Sequence, residues 1–403
     1  MSVWGRRGFT PLVSSATVSE VGSQVSVLVL PVIAATVLTA TPWQMGVLAA
    51  AGTAAFLVIG LPAGALVDRW RPRRVMVVCD LVRALLLVTV PLAFLGGGLS
   101  FAQLVAVAFA VGVATVFGDV AAQSILPALV ARDDLVRANS VLMTGTTAAE
   151  VAGPGLGGLL LRVVSAPAAL LADVVSFLAS ALLLLRVPAP ARPERTEDRA
   201  LGAEIVAGLR YVLGRPILRR ITLCTATVNL AGGLRDAVLV LFALRDLALS
   251  PSLLGLVLSV GAAGGVVGAV AAGPLAGLVG QARIVPVGAL ALLPFTALTA
   301  VAGAAPAVLL VISAAGIGAA TVVYNVAQLS MRQRACPPEL LGRMNASIRT
   351  VVWGSPPLGA LAGGALAGVV GNVAVLWGAV VLTALGSLPV LLSPLRRDEV
   401  PDP

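Results

Sequence analysis

Twelve apolar stretches, each bounded by proline, glycine or arginine, run the length of this chain. They lie at roughly 12–40, 43–67, 74–97, 100–126, 138–163, 167–187, 217–243, 251–279, 283–303, 306–330, 345–370 and 373–394. Crossing the hydrocarbon of a bilayer takes about 20 residues of helix, and each stretch reaches that length. With no water available there, backbone amides bond within their own helix or around a closed barrel, and stretches this long and continuous are helices. Composition agrees: 59% of the 403 residues are apolar, close to what twelve spans require. Only 11% are charged, against about 25% in soluble domains. The sequence therefore reads as an all-α membrane protein of about twelve transmembrane helices. The first stretch is longer than a signal-peptide core and no clear cleavage site follows it, so it counts as a span.

The charges fix a sidedness. There is no histidine, and with no lysine present all 27 cationic side chains are arginine. Lack of histidine removes Ser/His/Asp triads, Cys/His dyads, HExxH zinc sites and proximal-histidine haem. Cys79, Cys224 and Cys336 stand apart with no CxxC spacing and read as inert thiols rather than metal ligands. The net charge of +9 is not gathered into one basic domain, so it does not point to nucleic acid. Instead the arginines alternate between loops. Arg6 and Arg7 precede span one; Arg69, Arg71, Arg73 and Arg74 follow span two; Arg132 and Arg137 follow span four. A group from Arg186 to Arg220 follows span six, then Arg283, then Arg332, Arg334 and Arg343, then Arg396 and Arg397. The intervening loops hold little beyond Arg162 and Arg245. Arginine-rich loops stay in the cytoplasm, which predicts cytoplasmic termini and a cytoplasmic central connection.

That connection contains RVPAPARPERTEDRALGAE, Arg186 to Glu204, the long polar segment of the chain. It divides the sequence into a six-helix bundle at 1–187, a cytoplasmic linker at 188–216, and a second six-helix bundle with a short tail at 217–403. The halves repeat. At an offset of 206 residues Gly112, Ala114 and Thr115 meet Gly318, Ala320 and Thr321, while Leu135, Arg137 and Asn139 meet Leu341, Arg343 and Asn345. Gly153, Gly157 and Gly158 meet Gly359, Gly363 and Gly364. Two pseudo-symmetric bundles of parallel repeat are a transporter architecture.

The loop GLPAGALVDRWRPRRVM, Gly60 to Met76, resembles the signature cytoplasmic loop of the major facilitator superfamily. Gly64 takes the place of its packing glycine and Asp68 of its acid, with Arg69, Arg73 and Arg74 as the basic run. Arg71 and Pro72 stand where the family has Gly-Arg, and Arg73 substitutes for that arginine. In span five EVAGPGLGG, Glu150 to Gly158, is similar to the family's antiporter motif through Gly153, Pro154, Gly157 and Gly158; Ala149 replaces a preceding glycine. ILPALVARDDLVRANS, LLADVVSFLASALLLL and ELLGRMNAS resemble the branch that contains the enterobactin exporter and macrolide efflux proteins. The resemblance implies a monomeric secondary exporter of a drug, antibiotic or siderophore-like natural product, working by alternating access. It also implies a cytoplasmic gate built by the loop acid and arginines.

Acids inside the membrane are costly and mark function. Glu150, about 16 Å along span five at 1.5 Å per residue, lies near the midplane and suits a proton carrier. Glu20 shares a helix face with Gln24 and is the second proton-coupling candidate. Asp119 is assigned to the inside gate, and Asp80 and Arg83, three apart on span three, are read as a pair in the same cluster. Asp173 reads as a helix-packing acid. Asn229, Asp236, Tyr324, Asn325, Gln328 and Arg349 are cavity candidates in the second half, with Arg235 and Asp236 also fitting an outside gate. No GxxxxGK[ST] stretch is present, so no ATP hydrolysis is expected; the energy source is read as a proton gradient, with no cofactor or metal. The expected partners are a small-molecule cargo and the lipid bilayer of a bacterial cytoplasmic membrane. The alternatives are an importer or facilitator of the same fold, a non-transporting membrane sensor, and a membrane-embedded lipid enzyme.

Overall fold

A computed structural model of the chain describes residues 8–67, 70–131, 134–188, 209–337 and 340–397. Among the described residues there are twelve long helices and no strand. They are α1 (Phe9–Thr36), α2 (Pro42–Val67), α3 (Pro72–Leu95), α4 (Phe101–Leu129), α5 (Leu135–Val163) and α6 (Ala166–Leu184, a first turn running into a longer segment). The second six are α7 (Pro216–Leu241), α8 (Pro251–Val279), α9 (Ile284–Ala300), α10 (Pro306–Arg334), α11 (Leu341–Val370) and α12 (Asn372–Leu391). Nine of the described helices are long and apolar enough to cross a membrane. The other three are α9, at 17 residues, α5 and α11. This is a multi-pass membrane protein.

Local rules explain the helix ends. Proline opens α3, α7 and α10, where its missing N–H costs nothing and its fixed φ suits a first turn. Ser100 caps α4 by accepting the Gln103 N–H at 3.2 Å. Gly371, at φ 83°, turns the chain between α11 and α12 in a conformation that other residues resist. Helices such as α1, α3 and α5 begin up to three residues before the apolar stretches read from sequence, because their opening turns carry polar or charged residues that hydropathy passes over. Inside the spans, hydroxyls satisfy themselves on the preceding turn: Thr115, Thr222, Thr296 and Thr383 each donate to the carbonyl four residues back.

The chain forms two compact units. One comprises Met1–Ala40, Ala51–Asp198 and Ser250–Ser259; the other comprises Thr41–Ala50, Arg199–Leu249 and Val260–Pro403. In the first, α1 packs on α5 and α6, and α3 packs on α4 and α6. In the second, α7 packs on α11 and α12, and α9 packs on α10 and α12. Adding six to each number converts one set into the other. Leu135 and Leu341, partners at the 206-residue offset, each open their helix, so the repeat seen in sequence is a repeat of packing. Phe9, Leu12, Met76, Ile125 and Leu184 anchor the core of the first unit, and Leu218, Ile221, Tyr324, Met331 and Ile348 that of the second. Large apolar side chains such as Leu95, Val270, Leu278 and Val369 remain exposed, as lipid-facing positions do. All three cysteines are buried free thiols.

Candidate functional site

Pro154 lies inside α5, in its second half. Proline brings no N–H to the helix ladder, and its ring crowds the carbonyl four residues back. The next donor, the Gly155 N–H, donates to Ser259 Oγ at 2.7 Å, on the opening turns of α8. The surrounding glycines serve two faces. A Cβ added at Gly145 would run into Thr17 Oγ1, one at Gly153 into Gln24 Cβ, and one at Gly157 would stand 3.4 Å from Leu28 Cδ2, all on α1. At Gly158 it would stand 2.9 Å from the Ser252 carbonyl oxygen on α8. Small residues here let helix backbones approach closely, the usual basis of helix association in lipid.

Near this proline two carboxylates stand on α1 and α5. Glu20, half-buried on α1, accepts a hydrogen bond from Gln24 Nε2 at 2.7 Å. Glu150 is exposed on α5, one residue past buried Ala149, and the charge of Glu20 acts on it. Gln24 therefore touches both parts of the arrangement: its Cβ packs where Gly153 leaves room, and its amide holds Glu20.

A second polar cluster joins α1, α3 and α6. Asp173 is 1% exposed and accepts hydrogen bonds from Ser26 Oγ at 2.5 Å and Ser176 Oγ at 3.0 Å. Gly22 makes the space, since a Cβ there would run into Ser176 and Asp173. Asp80 is buried and pairs with Arg83 one turn on, whose guanidinium lies 4.3 Å from the centre of the Phe177 ring. Asp80 Oδ2 and Arg83 Nε have no hydrogen-bond partner among the described residues. On α4, Asp119 is exposed and near enough to act on Cys79. Arg73 Nη2 donates to the Leu185 carbonyl at 2.7 Å, capping the end of α6, and Arg74 is exposed on the first turn of α3. Gly64 lies within α2; Asp68 and Arg69 lie outside the described residues.

The second unit places the remaining candidates differently from one another. Tyr324 is 2% exposed, and its hydroxyl bonds Thr225 Oγ1 at 2.8 Å inside the core. Asn229 Nδ2 donates to the Val352 carbonyl at 3.0 Å, tying α7 to α11. Asp236 is exposed and pairs with Arg235 at 2.7 Å. Asn325 and Arg349 are exposed, while Gln328 is buried with its Oε1 unpartnered among the described residues.

Sequence reasoning passed over Ser259, Ser26, Ser176 and Gly22. Ser259 is a lone hydroxyl in the apolar run of α8, and Gly22, Ser26, Asp173 and Ser176 each fall at helical spacing from another, so the signal was present in the i, i+3 and i, i+4 intervals.

The sequence model of the Major Facilitator Superfamily matches residues 12–234 and 221–403. The chain is 28% identical over 366 residues to the multidrug efflux pump Tap of Mycolicibacterium fortuitum, covering 87% of each. It is 26% identical over 372 residues to the enterobactin exporter EntS of Citrobacter koseri, covering 91% of this chain and 87% of that one. Among solved structures, the nucleoside transporter NupG aligns with a TM-score of 0.75 at 12% identity, over 97% of this chain and 99% of that chain. A bacterial homologue of the iron transporter ferroportin aligns with a TM-score of 0.75 at 18% identity, over 95% and 98%. These structural likenesses speak for the fold, and the family match covers both repeats. With its doubled packing pattern and a family match that spans it, this chain belongs to the major facilitator superfamily.

Proposed function

We propose that the chain is a secondary exporter that moves a small amphipathic molecule, such as a drug, an antibiotic or a siderophore-like natural product, out across a bacterial cytoplasmic membrane in exchange for protons. The observation that carries this reading is the proline-containing stretch of α5 with its carboxylates: the Gly155 N–H after Pro154 donating to Ser259, Gly153 closed on Gln24, and Glu150 within electrostatic reach of Glu20. The names of the Tap and EntS relatives supply the direction of transport.

In this scheme the Glu20–Glu150 pair takes up one proton, which relieves repulsion between like charges inside the bilayer and biases one state of the α1–α5 contact. Gly64, Asp68, Arg69, Arg73, Arg74, Asp80, Arg83 and Asp119 act as the cytoplasmic gate. Gln24, Asn229, Asp236, Asn325, Gln328 and Arg349 serve the cargo path. Energy comes from the proton gradient with no cofactor. The protein works as a monomer with both termini in the cytoplasm.

The test is uptake of macrolides, dyes and siderophores by energised inside-out vesicles. Glu150→Gln and Glu20→Gln are expected to abolish proton-driven uptake singly or together while the protein stays folded. Full uptake in the double variant would overturn the coupling scheme.

A further inference from the structure

The first unit carries a groove of about 870 Å³ between α3 and α4, of whose lining the transport reading uses Arg74 alone. Its walls are apolar: Val78 and Val82 from α3, and Phe109 and Val113 from α4. Val78 is 56% exposed, so the groove opens on the face that meets lipid rather than on the protein interior. One end differs from the rest. Arg71, Arg74 and Trp70 line it, all at the start of α3. Arg71 and Arg74 are exposed, and neither is ion-paired with a carboxylate among the described residues. Trp70 is 48% exposed with its ring centre 6.2 Å from that of Phe117, an amphipathic ring of the kind that sits at headgroup depth. The first turn of α3 also contains no acid, so its helix dipole adds to the positive field at this end.

We propose that this groove is a binding site for an anionic phospholipid, with the phosphate held between Arg71 and Arg74 and one acyl chain laid along α3 and α4. Two features point to that occupant. The charge is complementary, since two arginines and a helix N-terminus stand together at one end of an otherwise apolar groove. The length also fits. From Arg71 to Leu86, both lining the groove, α3 rises about 22 Å at 1.5 Å per residue. That spans a headgroup plus the acyl depth of one leaflet, about 15 Å, half the usual core. A zwitterionic lipid would fill the same channel but would bring a choline or ethanolamine cation toward the two arginines. The site therefore selects by headgroup charge.

The experiment uses Trp70 as the reporter. Trp4, Trp43, Trp353 and Trp377 are replaced by Phe, and the full chain is placed in phosphatidylcholine nanodiscs that contain a minor fraction of brominated phosphatidylglycerol or brominated phosphatidylcholine. Trp70 should be quenched more strongly by the brominated phosphatidylglycerol, and Arg71→Gln and Arg74→Gln should each lower that preference about fivefold. Equal quenching by the two lipids, or a preference that survives the double substitution, overturns the proposal. If the single-tryptophan chain fails to fold, native mass spectrometry of the otherwise unaltered chain decides. Phosphatidylglycerol should stay bound through delipidation and be lost in the double arginine variant; equal retention by both overturns it.

Discussion

Replacing Gly153 by alanine tests whether the α1–α5 contact is as close as the structure describes. The added methyl would meet Gln24 Cβ, which is fixed to the α1 backbone and cannot swing away, and would stand 3.1 Å from the Val21 carbonyl oxygen. Carbon–carbon contact is optimal at about 3.5–4.0 Å, so α5 must move outward at this point. Overpacking of this kind costs about 1–3 kcal/mol, while alanine gains about 1 kcal/mol over glycine within a helix. The expected net loss is up to about 2 kcal/mol, read as a fall of up to a few degrees in the apparent melting temperature of the purified protein. Gly157→Ala and Gly277→Ala calibrate it. At Gly157 the new methyl sits at ordinary distance, 3.4 Å from Leu28 Cδ2, and at Gly277 it meets nothing within 4 Å. The predicted order of melting temperature is Gly277→Ala at or above the parent, Gly157→Ala near it, and Gly153→Ala below both. Because the clash falls on Gln24, the hydrogen-bond partner of Glu20, proton-driven uptake in vesicles should fall furthest in Gly153→Ala. A Gly153→Ala protein as stable and active as Gly277→Ala would refute the close contact.

Further perturbations address other parts of the structure. Ser259→Ala removes the acceptor of the Gly155 N–H and should cost about 1–2 kcal/mol; the loss should shrink in a Pro154→Ala background, where a regular ladder can form, and a double-mutant cycle in thermal unfolding measures the difference. Asp173→Ala strands the hydroxyl of Ser26, while Ser176 keeps the Asp173 backbone carbonyl as acceptor, and should lower the melting temperature more than Asp173→Asn, which keeps a side-chain acceptor; equal loss would contradict the hydrogen-bonded role. Tyr324→Phe removes one buried hydrogen bond, to Thr225, and should cost about 1 kcal/mol with transport of every cargo in the panel reduced alike or not at all. A cargo-selective change would show Tyr324 contacting the transported molecule.

The spans were legible because apolar length under lipid leaves one solution, the helix, and the alternation of arginines marked the loops. The repeat was legible because Leu135 and Leu341, like Gly158 and Gly364, occupy equivalent places in two packings of the same kind. Helix starts were less so, since α3 and α5 open on polar turns that hydropathy does not register. The motif glycines were visible, but their division of labour was not: spacing alone does not say that Gly153 faces Gln24 while Gly158 faces Ser252. Nor does it say that Asp173 is enclosed by hydroxyls from two helices, because Ser26 lies 147 residues away and only folding brings it there. Tyr324 shows the converse. A tyrosine and an asparagine side by side read as polar lining, yet the helix turns Tyr324 into the core and Asn325 out of it.

The central claim is that cargo movement is exchanged for protons. Its most direct measurement is proton flux from the purified protein in proteoliposomes carrying a pH gradient, on addition of macrolides, dyes and siderophores in turn. The account predicts flux triggered by at least one cargo and absent in the Glu20→Gln, Glu150→Gln double variant. Cargo movement with no accompanying proton flux, or flux undiminished in that variant, would contradict it.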